Sequence, residues 1–334
     1  MTGRKLQKSA VLAAAIWAGA FGSASAQAQS SAPAQSTSPA PAAVQISRSL
    51  PTVSNDAFLD IRTFAIRPDA NDGVTLSAFT PQIGFQTKSA VIIAPGGGYI
   101  SIAANLEGRQ VADWFTTRGV TAFVLKYRYG AANPLPAPIE DGERAVRYVR
   151  ANAQALGIDP DRIGLMGFSA GGHLASMTVT LSDDGVPTAD DPVERVSSRP
   201  DFLILGYPGL GSTQLQANGQ SRYCQFARLG GRRDCRSEDY VDLTPFGGRL
   251  AAKAPPTFIY HTTQDKLVPA QESARLYLEL IDAGVDVEAH LFARGAHGSG
   301  LGGSDPALSI WPETLEAWLR ARGYLSRRVV ATTQ

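Results

Sequence analysis

The spacing of apolar residues divides the chain into runs of two kinds. Over 58–79 apolar and polar positions roughly alternate, punctuated by Gly73 and by the Pro68-Asp69 and Asn71-Asp72 clusters. That pattern predicts short antiparallel strands at the start of a sheet. Ala90-Val91-Ile92-Ile93-Ala94 is instead apolar at every position, which suits a central parallel strand covered by helices on both faces. Further apolar runs predict strands over 120–127, 162–166, 200–207, 257–261 and 287–292. Helical spacing fills the gaps. Leu106, Val111, Trp114 and Phe115 share one side of a helix that Gly119 stops. Val146, Val149, Ala153 and Leu156 mark one face of a helix over 139–156, ended by Gly157. His173-Leu174-Ala175-Ser176-Met177 also reads as helix. Ala274, Tyr277, Leu278 and Ile281 lie at i, i+3, i+4 and i+7, and Leu308, Trp311, Leu315, Trp318 and Leu319 form a closing helix. Strands alternating with helices predict an α/β fold with one doubly wound, mostly parallel sheet. Ligands of such sheets bind beyond the carboxyl ends of the strands.

Two stretches break the pattern. Over 209–248 periodicity disappears and Gly, Arg and Gln dominate, with Cys224 and Cys235 among them. A loop this long inside a domain is usually a lid or a site wall. At the N-terminus Arg4, Lys5 and Lys8 precede a small, apolar run that ends in Ala24-Ser25-Ala26. This reads as a cleaved signal peptide over 1–26; a membrane anchor is the alternative, but the apolar run is short for a span. Residues 27–55 are rich in Ala, Ser, Pro and Gln and read as a flexible tether. The expected organisation is therefore a signal peptide, the tether, one folded domain over 56–328 carrying the 209–248 insertion, and a tail over 329–334. Periplasmic or secreted placement follows, with no stable membrane insertion after cleavage. An oxidising compartment permits a Cys224–Cys235 bridge worth about 3 kcal/mol of chain entropy; two free thiols are the alternative. The cysteine spacing is not that of a metal site.

Thirty-one basic residues face thirty acidic ones, so there is no electrostatic case for nucleic acid. The chemistry lies elsewhere. Gly167-Phe168-Ser169-Ala170-Gly171 stands between an apolar run and a helix. A serine between small residues at a strand-to-helix corner matches the G-x-S-x-G nucleophile elbow, although a plain glycine-rich turn has the same composition. The corner exposes the hydroxyl and turns the Ala170 N–H toward an anion. A hydroxyl needs a base. Of the four histidines, His261 and His290 fall within strands and His173 on the elbow helix; His297 alone sits in a glycine-flanked loop after a strand. Asp265, just past a strand end, is the candidate carboxylate for that imidazole. Asp282 and Asp286 are rivals in a turn at the opposite end of the sheet. The order Ser169, Asp265, His297 is the nucleophile–acid–histidine order of α/β-hydrolases. Gly97 and Gly98 can join Ala170 as oxyanion donors. Nothing else of a nucleotide-binding loop accompanies this glycine run.

Pro95-Gly96-Gly97-Gly98-Tyr99, Leu125-Lys126-Tyr127-Arg128, Gly167-Phe168-Ser169-Ala170-Gly171-Gly172, Asp265-x-x-Val268-Pro269 and Gly295-Ala296-His297-Gly298 together resemble the α/β-hydrolase superfamily. More narrowly they are similar to bacterial esterases that include acetylxylan and feruloyl esterases. Lipase-like relatives often carry His where Pro95 stands. The resemblance covers residues 57–324 and implies the α/β-hydrolase fold and serine carboxylesterase activity, with neither metal nor cofactor. It implies a small ester or acylated carbohydrate as substrate, such as acetylated plant polysaccharide. Tyr99 and Tyr207, at strand ends, could then stack on a sugar or simply fill the rim. A serine exopeptidase of the same fold and a non-catalytic binding protein are the competing expectations.

Overall fold

The computed structural model describes residues 54–56, 61–70, 72–303 and 305–325, all within the compact unit 44–334. The expected signal peptide, most of the tether and the tail at 329–334 lie outside the described residues.

Among the described residues nine strands form the sheet: β1 (Ser54–Asp56), β2 (Ile61–Ala65), β3 (Thr75–Phe79), β4 (Ala90–Ala94), β5 (Thr121–Lys126), β6 (Ile163–Phe168), β7 (Phe202–Gly206), β8 (Thr257–Thr262) and β9 (Val287–Phe292). Their order is β1-β2-β3-β5-β4-β6-β7-β8-β9. The pairs from β1 through β3 to β5 are antiparallel; those from β5 onward are parallel. Ser54 and Asn55, within the stretch read from sequence as a tether, pair with β2. Ser-Asn-Asp carries no apolar signal, and an edge strand needs only backbone partners.

The β4 run is buried at every position. Ala90, Ile92 and Ala94 enter one core while Val91 and Ile93 enter the other, so the period of two is present even though both faces are apolar. The α-helices among the described residues are, in chain order, α1 (Gln110–Thr116), α2 (Ala137–Ala151), α3 (Ala153–Leu156), α4 (Ala170–Leu181), α5 (Arg222–Leu229), α6 (Ala270–Asp282) and α7 (Trp311–Ala321). Ile139, Leu174 and Leu276 place α2, α4 and α6 on the first core; Val111, Phe115, Trp311 and Trp318 place α1 and α7 on the second. The α4 helix is buried throughout from Ala170 to Thr180, as a helix leaving the middle of a sheet must be.

Several local expectations need correction. The helix predicted over 139–156 breaks at Asn152, whose backbone and side-chain N–H groups both donate to the Tyr148 carbonyl, at 3.1 and 2.7 Å. Leu106 belongs to a π-helical turn, Ala104–Arg109, before α1, and is 40% exposed. In α6 the buried positions are Ala270, Ser273, Leu276 and Leu280, while Leu278 and Ile281 face water. Ser273 occupies a core position because its hydroxyl bonds to His261 Nδ1 at 2.8 Å, which turns the helix away from the stripe expected from apolar residues alone. The 209–248 insertion is not without regular structure. It contains α5, capped by Ser221, and a 3₁₀ turn over Ser237–Tyr240. Its buried face is Tyr223, Cys224 and Ala227, too short and too poor in Leu and Ile to register as a periodic stripe. Cys224 and Cys235 are joined by a disulfide. Among the described residues, no helix is long and apolar enough to cross a membrane.

Candidate active site

The strand–turn–helix corner between β6 and α4 sets the site. Ser169 has φ 53° and ψ −119°, in the strained region that a side-chain-bearing residue rarely adopts. Neighbouring glycines make the corner possible. A Cβ on Gly167 would stand 2.1 Å from the Gly171 carbonyl oxygen, and one on Gly171 2.0 Å from that of Ala94. No side chain fits there, so α4 can lie directly against the ends of β6 and β4.

Three parallel strands then bring three side chains together. Ser169 follows β6, Asp265 follows β8 and His297 follows β9. Ser169 Oγ lies 2.8 Å from His297 Nε2, and His297 Nδ1 lies 2.6 Å from Asp265 Oδ2. Asp265 Oδ1 accepts from the N–H groups of Leu267 and Val268 at 2.8 and 2.9 Å. Its Oδ2 also meets His261 Nε2 at 3.2 Å. His261 Nε2 lies 3.1 Å from the Val268 carbonyl, which can only accept, so His261 carries a proton on that nitrogen. Burial alone would raise the Asp265 pKa, but the bonds from His261, His297 and the Val268 N–H outweigh it and hold the carboxyl far below the usual range. Neither rival acid is near this chain of bonds: Asp282 is exposed at the end of α6, and Asp286 pairs with Arg322.

The glycine loop after β4 closes the other side. Gly97 and Gly98 have φ of 135° and 64°. The Gly97 carbonyl accepts from Ile100 and Ser101, both at 3.1 Å. The N–H groups of Gly97, Gly98 and Ala170 make no hydrogen bond to protein among the described residues. Together with Ser169 and His297 these residues line a cavity of about 320 Å³. The insertion supplies one wall through Gly209, Ser212, Arg222, Tyr223 and Phe226. The Arg222 guanidinium is paired with Glu272, whose other oxygen accepts from the Gly211 N–H at 2.7 Å, so that wall adds little net charge.

Tyr99 lines this cavity, and Tyr207 is not among its lining residues. They are 5% and 1% exposed, and both hydroxyls are used inside the protein. Tyr99 Oη lies 2.7 Å from His173 Nδ1, and Tyr207 donates to Glu107 Oε1 at 2.6 Å. Burial raises both phenol pKa values well above their ordinary range. His173, on the elbow helix, has a second partner: its Nε2 lies 2.8 Å from the Leu243 carbonyl, so it ties the insertion to the glycine loop through Tyr99. Burial lowers its pKa to about 4. Sequence reasoning missed Glu107, a buried carboxylate on the same cavity. An acid near the start of a helix resembles an ordinary complement to the helix dipole, so nothing in the spacing set it apart.

Comparison with known proteins agrees with this architecture. The chain is 31% identical over 243 residues to endo-1,4-beta-xylanase B of Butyrivibrio fibrisolvens, which covers 70% of this chain and 36% of that protein. It is 30% identical over 214 residues to an acetylxylan esterase of Xylanibacter ruminicola, covering 64% of this chain and 41% of that protein. The chain thus spans well under half the length of either. Among solved structures, an acetyl ester-xyloside bifunctional hydrolase from Caldicellulosiruptor lactoaceticus superposes with a TM-score of 0.66 at 35% identity, covering 77% of this chain and 92% of that one. An esterase, Est2, from Thermogutta terrifontis gives 0.65 at 26% identity, covering 80% and 95%. The BD-FAE family model matches residues 76–280, more than half of the chain and including both Ser169 and Asp265. The chain belongs to the BD-FAE family of α/β-hydrolases.

Proposed function

We propose that this protein is an exported serine carboxylesterase that removes acetyl or other small acyl groups from acylated carbohydrate of the xylan type. The observation that carries the reading is the unbroken run of hydrogen bonds from Ser169 through His297 to Asp265, at a small cavity lined by Gly97, Gly98 and Ala170, whose N–H groups make no hydrogen bond to protein among the described residues. Ser169 Oγ attacks the ester carbonyl while His297 Nε2 takes its proton. The negative charge on the former carbonyl oxygen is met by the N–H groups of Ala170 and of Gly97 or Gly98; each such donor typically contributes about 3–4 kcal/mol. The protonated His297 then delivers its proton to the departing alkoxide, leaving an acyl-serine and a free alcohol. Water enters, gives its proton to His297, and attacks the acyl carbonyl; collapse returns the proton to Ser169 and releases the acid. Asp265 holds Nδ1–H in place and stabilises the imidazolium.

The substrate class rests on the small cavity and on the names borne by the relatives, an acetylxylan esterase and an acetyl ester-xyloside hydrolase. Export rests on the sequence of residues 1–26 alone. Side-by-side assay of acetylated xylan, feruloylated sugars, p-nitrophenyl acetate and amino-acid p-nitroanilides tests the reading. Deacetylation of xylan with no anilide cleavage is the expected result. Anilide cleavage in preference to all the esters, or no turnover of any ester, would overturn it.

A further inference from the structure

Glu107 lies in the π-helical turn Ala104–Arg109, is 4% exposed, and lines the same cavity as Ser169 and His297. Burying a carboxylate is costly unless its oxygens are satisfied. Here each oxygen takes one short bond: Gly96 N–H donates to Oε2 at 2.6 Å, and Tyr207 O–H donates to Oε1 at 2.6 Å. Among the described residues no Arg or Lys pairs with it, so it does not serve the fold as half of a salt bridge.

The two donors belong to the two loops the chemistry needs. Gly96 begins the glycine loop, and its own carbonyl accepts from the Ala103 N–H at 2.9 Å. The loop is therefore anchored on both sides of the Gly96 residue to the segment that carries Glu107. With its N–H spent on Glu107, Gly96 is no oxyanion donor, which leaves that role to Gly97 and Gly98. Tyr207 reaches the other loop. Its hydroxyl oxygen accepts from the Gly300 N–H at 3.0 Å, three residues past His297, and its ring centroid lies 5.0 Å from the imidazole. The Gly300 carbonyl accepts from Tyr260 Oη at 2.7 Å. Tyr207 is itself held at φ 34°, a conformation that persists only where its surroundings over-determine it.

We propose that Glu107 is a positioning residue for ester hydrolysis: through Gly96 it sets the loop that presents the oxyanion donors, and through Tyr207 and Gly300 it sets the loop that carries His297. The proposal rests on the esterase reading given above. Glu107 touches no reacting atom; one carboxylate instead fixes the distance between the oxyanion donors and the base. Burial pushes its carboxyl pKa up, while the bonds from Tyr207 and Gly96 and the nearby His297 act against that rise. Both loops are engaged fully only when the carbonyl oxygen carries charge, so loosening them weakens transition-state binding more than substrate binding.

Glu107→Gln tests this. The amide is the same size but has one acceptor oxygen, so whichever way it turns, one of the two bonds is lost. The expected result with p-nitrophenyl acetate is a kcat lower by about 10- to 100-fold, the usual scale for misplacement of catalytic groups, with KM within about threefold of wild type. Tyr207→Phe, which removes only the hydroxyl, should lower kcat in the same way by a smaller factor. If Glu107→Gln folds and retains wild-type kcat, or loses only in KM, the proposal is wrong. If it does not fold, an unchanged kcat in Tyr207→Phe overturns the proposal instead. Ser169→Ala, assayed alongside, separates the two levels. Activity retained there would sink the esterase reading itself, whereas inactive Ser169→Ala beside fully active Glu107→Gln sinks only the role of Glu107.

Discussion

Replacing Asp265 by Asn should cost far more activity than stability. The carboxylate accepts four hydrogen bonds: two from imidazole N–H groups, His297 and His261, on Oδ2, and two from backbone N–H groups, Leu267 and Val268, on Oδ1. An amide offers one acceptor oxygen and one NH₂. Turning the NH₂ toward the loop would orphan two backbone donors that cannot move, at about 1–3 kcal/mol each. Turning it toward the histidines is easier, because an imidazole can exchange tautomers. His297 must then accept on Nδ1 and carry its proton on Nε2, the atom 2.8 Å from Ser169 Oγ. In that tautomer it cannot receive the serine proton. The expected loss in kcat is about ten-thousandfold, or roughly 5 kcal/mol of barrier, with KM little changed. His261 loses its 3.2 Å partner but keeps the Val268 carbonyl at 3.1 Å, so unfolding stability should fall by only about 1–2 kcal/mol, a few degrees in Tm. Initial rates with p-nitrophenyl acetate and a thermal melt measure both. An Asp265→Asn enzyme within tenfold of wild type would refute the reasoning, as would equal damage from Asp282→Asn or Asp286→Asn.

Other changes probe other parts of the account. Gly171→Ala forces a methyl to within 2.0 Å of the Ala94 carbonyl oxygen; it should destabilise by more than about 4 kcal/mol, read as a large fall in Tm or loss of soluble protein, and a wild-type melt would show that the corner can relax. Replacing Cys224 and Cys235 together by Ser should remove about 3 kcal/mol of stability. It should also change kcat/KM more for a bulky acylated sugar than for p-nitrophenyl acetate, because Tyr223 and Phe226 stand beside the bridged cysteine on the cavity wall; equal effects on both esters would detach the insertion from specificity. His173 has a pKa near 4 in the fold against its ordinary value of 6.5. Between these values the unfolded chain binds a proton that the native protein does not, so this group makes stability fall as pH drops from about 6.5 to 4. His173→Gln should flatten the pH dependence of urea unfolding in that window by about one proton, and an unchanged slope would contradict the assignment.

Much of the sheet and the meeting of three side chains could be read from the chain because their physics is local. Ala90–Ala94 announces a doubly covered strand by being apolar at every position. Small residues around Ser169 announce a corner where two backbones nearly touch. Asp265 and His297 each stand just past a strand end, and a parallel sheet gathers such positions at one edge. What could not be read depends on partners distant in sequence. Nothing near Glu107 reveals that Gly96 and Tyr207 will close on it. Tyr99 and Tyr207 look available as loop-edge aromatics until the packing of His173 and Glu107 takes up their hydroxyls. Ser273 breaks the apolar stripe of α6 only because His261 lies opposite. The α5 helix escapes notice because its buried face holds a tyrosine and a disulfide rather than a run of leucines.

The central claim is that Ser169 carries the acyl group. Rapid quenching of the enzyme with p-nitrophenyl acetate, followed by peptide mass mapping, tests it directly. The account predicts an acetyl group on the peptide containing Ser169, formed with the first burst of nitrophenol, and neither adduct nor burst in Ser169→Ala. Acetylation at another residue with Ser169 unmodified, or a Ser169→Ala protein that keeps as much as a tenth of the hydrolytic rate, would contradict it.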